Sequence, residues 1–400
     1  MYEICAYGSG GYAQTKDGPA FDAQNGRLLM ASLTKSMTSV LVAILLAQGK
    51  IRNQTSSSFS NGYGWHTTLG MVFPEAVNTP YHNVTLAALS SMYGGVPIQP
   101  NTPEQYWNFY FPDVPLMTQR AKLTSYAFLK QPPANIPNTT YLYSNWGYTI
   151  LGHVAEVSMN KSWEDLLIEY LIDPLEMSDT SSYYPFTATN VSNWGHIYMN
   201  GSDPIQPCNP ANPTQPNPLI PFTFNPYYAC DDCPNMGPAE SYSGSILNTS
   251  RYYHWTMQCA SGVYTQDKIP LTQSQCEYIQ TGYGPVTGVP GQNFGYGWTM
   301  QYVPAGPGIS AKLLFYCGSN DLNLACMWLY YSPLNLIVMS STNGGGEYIP
   351  GYNTATTTNM VYAVESYLVN SYQHGIYTCP APPLNSCSYS GTYSDSYFLD

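Results

Sequence analysis

Charge is what this 400-residue chain has least of. Asp, Glu, Lys and Arg together make up 9% of it, against roughly 25% in an ordinary globular protein. The 12 Lys and Arg are outnumbered by 24 Asp and Glu, giving a formal net charge of −12, and they form no basic cluster. A nucleic-acid partner is excluded on that ground, because phosphate binding takes clustered cations. The acidic balance also argues against binding an anionic membrane surface. Long apolar runs are missing too. The longest, residues 40–47, falls far short of the ~20 residues a membrane span needs, so no span is expected. Met1-Tyr2-Glu3-Ile4-Cys5 has neither the basic nor the apolar region of a secretory signal. There is no internal repeat.

In place of charge the chain carries neutral polar residues and 38 tyrosines. Hydrophobic residues make up 44%, enough for a large core in one two-lobed domain or two small ones. The 10 cysteines include close pairs, Cys230 with Cys233, Cys317 with Cys326, and Cys379 with Cys387. An even count at short spacing suits disulfides in an oxidising compartment. Asn-x-Ser/Thr sequons start at Asn53, Asn83, Asn138, Asn160, Asn190, Asn200 and Asn248. As glycan acceptors they would imply a eukaryotic secretory route. Together these features give the expectation of a secreted or lysosomal glycoprotein.

Some patterns tempt without carrying chemistry. Cys230-Asp231-Asp232-Cys233 has zinc-like or redox-like spacing, but no second Cys or His pair follows at ligand spacing. No metal and no cofactor are expected. Gly344-Gly345-Gly346 lacks the Lys-Ser/Thr of a phosphate loop. His153 falls in a helical pattern and reads as structural.

Apolar spacing at Leu33, Met37, Val40, Leu41, Ile44 and Leu45 predicts a helix over residues 32–48, stopped by Gly49. Further helices are predicted over residues 86–91, 146–157, 163–171, 251–259 and 359–369, with an opening strand over 2–13 and paired strands over 312–341. Residues 54–70 read as loop, 101–137 as Pro-rich and aromatic, and 204–238 as a long irregular insertion. The pattern implies an α/β (α+β) fold, in which helices flank an antiparallel sheet and a mostly helical lobe is inserted. One domain over residues 1–370 would comprise a sheet lobe (about 1–50 and 290–370) and a helical lobe (about 51–289). A Cys/Pro/Ser-rich tail would follow over 371–400. The cleft between lobes is the natural ligand site.

Ser32-Leu33-Thr34-Lys35 opens the first long helix. A serine at a helix head sits at the positive end of the macrodipole, and a lysine three residues on lies on the same face. Burial would lower the lysine pKa and let it take the serine proton. Ser-x-x-Lys recurs at Ser158–Lys161, where a helix ends rather than begins, so the bare pattern leaves two candidates.

Gly26-Arg27-Leu28-Leu29-Met30-Ala31-Ser32-Leu33-Thr34-Lys35-Ser36 resembles the nucleophile segment of serine β-lactamase-like hydrolases, which include class C β-lactamases, DD-peptidases and related esterases. The likeness continues in order through Leu46-Ala47-Gln48-Gly49-Lys50-Ile51 and residues 84–95. It then takes in Tyr141-Leu142-Tyr143-Ser144-Asn145-Trp146-Gly147-Tyr148, residues 173–180, Ser243-Gly244-Ser245-Ile246-Leu247-Asn248-Thr249 and Phe294-Gly295-Tyr296-Gly297-Trp298. The ordered set spans roughly residues 10–345.

The resemblance implies catalytic roles for Ser32, Lys35 and Tyr143, whose Tyr143-Ser144-Asn145 fills the family's Tyr-x-Asn motif. Tyr-x-Asn also occurs at Tyr106 and Tyr198, and only the flanking match selects Tyr143. A Tyr143 phenolate would serve as general base and later protonate the leaving group. Asn145 would hydrogen-bond Lys35 or the substrate. The third motif, Lys-Thr-Gly or His-x-Gly in the family, aligns with Tyr316-Cys317-Gly318 followed by Ser319. Gly318 would admit close backbone approach, and the N–H groups of Ser32 and Ser319 would form the oxyanion hole.

Tyr316 carries no charge near neutral pH, so recognition of a substrate carboxylate is not expected. An ester or amide substrate, small molecule or peptide, suits the site better. Cys317 and Cys326 would face each other across a tight antiparallel turn, as a disulfide or as two thiols. The segment ahead of Gly11-Tyr12-Ala13 is shorter than in the family, which points to an N-terminus cut short. The implied activity is a serine hydrolase of esterase or peptidase type. A silent scaffold and an acyltransferase are the alternatives, and the oligomeric state stays open.

Overall fold

Helix α1, Thr34–Ala47, is buried on every side: residues 34 to 46 are all buried. A helix apolar all round lies inside a protein rather than on its surface. Its polar residues find partners within the core. Thr38 Oγ1 donates to Pro238 O at 2.7 Å, Ser36 Oγ to Leu33 O at 2.9 Å, and Ser39 Oγ lies 2.8 Å from Ser90 Oγ. Gly49, with φ +67°, ends the helix in the left-handed region as Lys50 N bonds back to Leu45 O at 2.8 Å.

The computed structural model describes residues 28–56, 58–99, 114–177, 234–263, 268–306, 308–320, 323–342 and Ser366. The helices are α1, α2 (Leu69–Val72), α3 (Leu86–Ser90), α4 (Leu116–Lys130), α5 (Asn145–Met159), α6 (Trp163–Leu167), α7 (Gly237–Glu240), α8 (Ile246–Ala260) and α9 (Gln273–Ile279). Helices α5, α6, α7 and α9 pack on α1. Helix α5 starts where Ser144 Oγ accepts from Gly147 N at 2.8 Å, an N-cap that satisfies one of the helix's orphan donors.

The short pair β1 (Leu28–Leu29) and β2 (Ser243–Gly244) is antiparallel. The main sheet is an antiparallel meander in chain order: β3 (Gly284–Pro285), β4 (Asn293–Gly295), β5 (Trp298–Gly306), β6 (Ile309–Asn320), β7 (Asn323–Tyr330) and β8 (Leu336–Thr342). Successive side chains of a strand face opposite ways, and β6 follows that period. Leu314 and Tyr316 pack into the core shared with the helices, whereas Leu313, Phe315 and Cys317 join a second cluster with Cys326, Trp328 and Val338. Cys317 pairs with Cys326 in register and forms a disulfide. The bridge therefore lies on the face of β6 turned away from Tyr316. A second disulfide, Cys259–Cys276, ties α8 to α9.

The helix and antiparallel-sheet architecture agrees with the expectation from sequence, with local differences. Residues 54–70 are more ordered than a loop, with a 3-10 helix at Phe59–Gly64, a bridge between Thr68 and Thr85, and buried Trp65 and Leu69. Residues 101–137 include α4, which the reading missed. The predicted helix over 163–171 is α6 followed by a π-helical turn at Ile168–Ile172. The opening strand, the insertion up to residue 233, the helix over 359–369 apart from Ser366, the tail, and the pairs Cys230/Cys233 and Cys379/Cys387 lie outside the described residues. Among sequon asparagines, Asn53, Asn83, Asn138 and Asn160 are exposed. Asn248 is fully buried, which removes it as a glycan acceptor in the folded chain. No described helix is long and apolar enough to cross a membrane.

Behind the helical elements lies a buried ionic network. Arg120 of α4 pairs with Glu156 of α5 and Glu164 of α6, and its Nε donates to Asn235 O at 3.1 Å. His153 Nδ1 lies 2.8 Å from Glu156 Oε2, and its ring stacks on Phe73. His153 is thus structural, as expected.

Candidate active site

Ser32 is presented by an unusual turn. Ala31 has φ +43°, a left-handed conformation that a residue with a Cβ avoids. The turn is held from both sides. Leu33 N donates to Met30 O at 3.0 Å and Thr34 Oγ1 to Ala31 O at 2.7 Å. Met30 N donates to Tyr242 O at 2.9 Å, and Tyr242 N to Thr34 Oγ1 at 3.0 Å. Ser32 therefore sits in the 3-10 turn Ala31–Leu33 that runs into α1, 8% exposed.

One turn along, Lys35 is fully buried. Its Nζ donates to Ser32 Oγ at 2.8 Å, Asn145 Oδ1 at 2.7 Å and Ala239 O at 3.0 Å, which uses all three ammonium protons. Burial pushes its pKa down to about 7, against the opposing pull of the Glu240 carboxylate. Lys35 can therefore change charge near neutral pH.

Tyr143 reaches the same hydroxyl from the far side. Its phenol oxygen is 2.6 Å from Ser32 Oγ, and its ring lies 4.8 Å from Lys35 Nζ. It occupies the extended segment just before α5, which places Asn145, the first residue of that helix, against Lys35. Burial pushes the Tyr143 pKa well up, hydrogen bonds with Ser32 and Tyr316 pull it down, and the charge of Glu240 raises it further. The balance keeps the phenol protonated at neutral pH.

Strand β6 supplies the remaining wall. A Cβ built on Gly318 would stand 2.2 Å from Met30 O, 2.7 Å from Ser32 N and 3.0 Å from Leu33 N. Only glycine allows the strand to run this close to the nucleophile turn. Ser319 follows in the strand, paired with Leu324. Tyr316, two residues before Gly318, shares its face and stacks edge-on with Phe294 at 5.5 Å.

The structure thus brings Ser32, Lys35, Tyr143, Asn145, Tyr316 and Gly318 together and carries the Ser319 backbone alongside. The competing Ser-x-x-Lys behaves differently. Ser158 Oγ donates to Val154 O at 2.6 Å, and Lys161 pairs with Glu169 on the surface at 2.6 Å. The competing tyrosines, Tyr106 and Tyr198, lie outside the described residues. Sequence reasoning missed Glu240, a buried carboxylate whose charge acts on both Lys35 and Tyr143. It belongs to no motif and lies 205 positions from Lys35 in the chain, a separation given by 240 minus 35. Among the described residues, no group of three or more His, Cys, Asp or Glu is placed to hold a metal ion.

Comparison with known proteins adds three findings. The family model described as "Beta-lactamase" matches residues 3–355. No curated protein matches this chain. Solved structures with a similar fold include a penicillin-binding protein from Bacillus halodurans, at TM-score 0.59 and 16% identity, covering 90% of this chain and 92% of that one. The octameric penicillin-binding protein homologue from Pyrococcus abyssi has TM-score 0.59 and 17% identity over 90% and 69% of the two chains. The D-amino acid amidase from Ochrobactrum anthropi, complexed with L-phenylalanine amide, has TM-score 0.58 and 14% identity over 90% and 89%.

Proposed function

The chain belongs to the beta-lactamase family, and from that premise we propose that it is a serine hydrolase opening an ester or amide bond through an acyl-enzyme on Ser32. The observation that carries the reading is the position of Ser32 Oγ between Lys35 Nζ at 2.8 Å and the Tyr143 phenol at 2.6 Å. Both distances lie within reach of direct proton transfer.

The electrostatics divide the labour differently from the phenolate base that the resemblance implies. Tyr143 stays protonated, because burial opposes its anion, and Lys35 is the group whose proton is free to leave near pH 7. Neutral Lys35 takes the Ser32 proton, directly or across the Tyr143 hydroxyl, as Oγ attacks the substrate carbonyl. The backbone N–H groups of Ser32 and Ser319 donate to the developing oxyanion. The Lys35 ammonium returns a proton to the leaving alcohol or amine through Tyr143. Water then repeats the sequence on the acyl-Ser32 ester and frees the acid.

The substrate side of the proposal rests on Tyr316. Where the resembling family has a lysine or histidine, this chain has a phenol hydrogen-bonded to Tyr143. A phenol gives one hydrogen bond and no charge, so the site suits an ester or amide without a carboxylate beside the scissile bond. The amidase with a similar fold is complexed with such an amide.

The experiment is intact-mass analysis of the full chain after incubation with activated esters, amides and β-lactams of matched acyl groups, with and without a carboxylate. The reading expects a mass increase equal to the acyl group with the carboxylate-free members. A folded chain with no adduct from any member would favour a silent scaffold instead. Products formed only with added alcohols or amines would favour acyl transfer.

A further inference from the structure

Strand β6 outruns one of its neighbours at the site. Its ladder with β5 ends at the pair Thr299 and Phe315, and among the described residues 316–320 pair with β7 alone. This one-sided stretch is the part of β6 that carries Tyr316, Gly318 and the Ser319 N–H. The nucleophile turn rests on its face, where a Cβ on Gly318 would stand 2.7 Å from Ser32 N. Strand β7 is held on both sides at the same level: Cys326 pairs with Cys317 in one ladder and with Ser340 of β8 in the other. Backbone with fewer ladder bonds opens more easily than backbone inside a sheet.

A covalent tie joins the two strands there. The Cys317 and Cys326 Cα atoms are 4.1 Å apart. That is near the roughly 4.5 Å of a cross-strand pair that exchanges no backbone hydrogen bonds, and well under the roughly 5.5 Å of one that does. The disulfide therefore links β6 to β7 at a rung the backbone leaves unbonded. Side chains alternate along a strand, so the Cys317 side chain turns into the second cluster, with Cys326, Trp328 and Val338. Its neighbours Tyr316 and Gly318 face the nucleophile.

We infer that the Cys317–Cys326 disulfide is a positioning element of the oxyanion hole: it holds the one-sided end of β6 on β7, keeps the Ser319 N–H aligned with that of Ser32, and makes acylation slower when a dithiol opens it. The inference rests on the reading of Ser32 given above, and adds a residue pair and a redox response to it.

The physical reason is the strictness of the alignment. Removing an oxyanion donor costs about 10²–10³-fold in rate, and a donor merely displaced loses part of that. The opening step is ordinary thiol–disulfide exchange. Cys317 is partly buried and Cys326 is 1% exposed, so the thiolate of a dithiol attacks the Cys317 sulfur. Cys326 leaves as a thiolate and takes up a proton. The second thiol of the reductant then displaces Cys317, which is protonated in turn, and the reductant closes to its own disulfide. Two electrons pass from the dithiol to the cysteine pair. The other described disulfide, Cys259–Cys276, joins α8 to α9 and has no part in β6.

The test compares the full chain as wild type, Cys317→Ala/Cys326→Ala and Cys259→Ala/Cys276→Ala, each below its melting temperature. The substrates are a carboxylate-free activated ester and its thionoester, whose sulfur is a poor acceptor for the oxyanion-hole donors. The expected result for Cys317→Ala/Cys326→Ala is a kcat on the ester about ten-fold lower, a smaller preference for ester over thionoester, and an unmoved acid limb. Cys259→Ala/Cys276→Ala should keep the wild-type preference. A brace that served stability alone would lower the melting temperature and leave the preference intact. Titrating wild type with dithiothreitol, with opened Cys317–Cys326 counted by alkylation and peptide mapping, should reproduce the loss in proportion to the open fraction. Should the variant not fold, this titration decides. A wild-type preference with the bridge open would overturn the inference, as would a bridge that opens only when the chain unfolds. Absence of turnover in wild type would instead bring down the Ser32 reading. Hydrogen exchange over residues 316–320 would then decide the brace: faster exchange with the bridge open supports it, and unchanged exchange overturns it.

Discussion

Gly318 and Ser32 meet through bare backbone: a Cβ on residue 318 would stand 2.7 Å from the Ser32 nitrogen. Such a distance is closer than atoms pack, and the neighbours are main-chain atoms that cannot turn aside. The substitution Gly318→Ala must push β6 away from the nucleophile turn. Overpacking of this kind costs about 1–3 kcal/mol, and losing the alignment of an oxyanion donor costs about 10²–10³-fold in rate. Thermal melting with rates of Ser32 acylation should show a modest loss of stability and a large loss of rate. A variant with wild-type acylation would mean that β6 takes no part in the reaction.

The pH dependence should follow Lys35. Its neutral form is the one that accepts a proton, and burial holds its pKa near 7 despite the pull of Glu240. Activity should therefore be high above neutrality and fall as pH drops through about 7. Arginine cannot deprotonate, so Lys35→Arg should lose the base at every pH, a drop of about 10²–10⁴-fold. A kcat/KM profile across the acid range, in both proteins, checks this.

Tyr316 should govern which substrates enter. Tyr316→His or Tyr316→Lys places a cation where wild type has a neutral phenol. The variants should favour carboxylate-bearing substrates over their neutral analogues by about ten- to a hundred-fold more than wild type does, the worth of one hydrogen bond to a charged group. Tyr316→Phe removes the hydroxyl that interacts with Tyr143 and should slow acylation without improving carboxylate recognition. Ratios of kcat/KM for matched substrate pairs decide the matter.

The network around Arg120 should set acid stability. Burial alone would raise the Glu156 pKa, but the Arg120 charge and the His153 hydrogen bond outweigh it and hold the carboxyl below its ordinary value. A carboxylate depressed in the folded state stabilises the fold above its unfolded pKa. That stability is lost as pH falls through the folded value. Removing the partner leaves Glu156 and Glu164 buried without their cation, and Arg120→Ala should cost about 3–5 kcal/mol. Urea unfolding at neutral and acid pH measures both effects.

The site was legible in sequence where its geometry is local. Ser32 and Lys35 lie one helical turn apart, so their contact follows from spacing. Tyr143 was singled out by its neighbours in the chain, because nothing in a tyrosine-rich sequence marks one phenol. The left-handed Ala31 left no trace, since alanine carries no preference for that conformation. Glu240 could not be found, because it belongs to no motif and lies far from Lys35 in the chain. Helix α4 was missed for another reason: its buried face holds Gln119, Arg120 and Thr124 beside Leu123, Ala127 and Phe128. Its polar core positions broke the apolar pattern on which helix prediction depends. Strands β4 and β5 were hidden by Gly295, Gly297 and Pro304, residues that read as turns.

The central claim is that Ser32 is the nucleophile, and peptide mapping of the fluorophosphonate-treated chain tests it most directly. The account predicts a single adduct on the peptide containing Ser32, absent from a folded Ser32→Ala variant. An adduct on another residue, or equal labelling of wild type and Ser32→Ala, would contradict it.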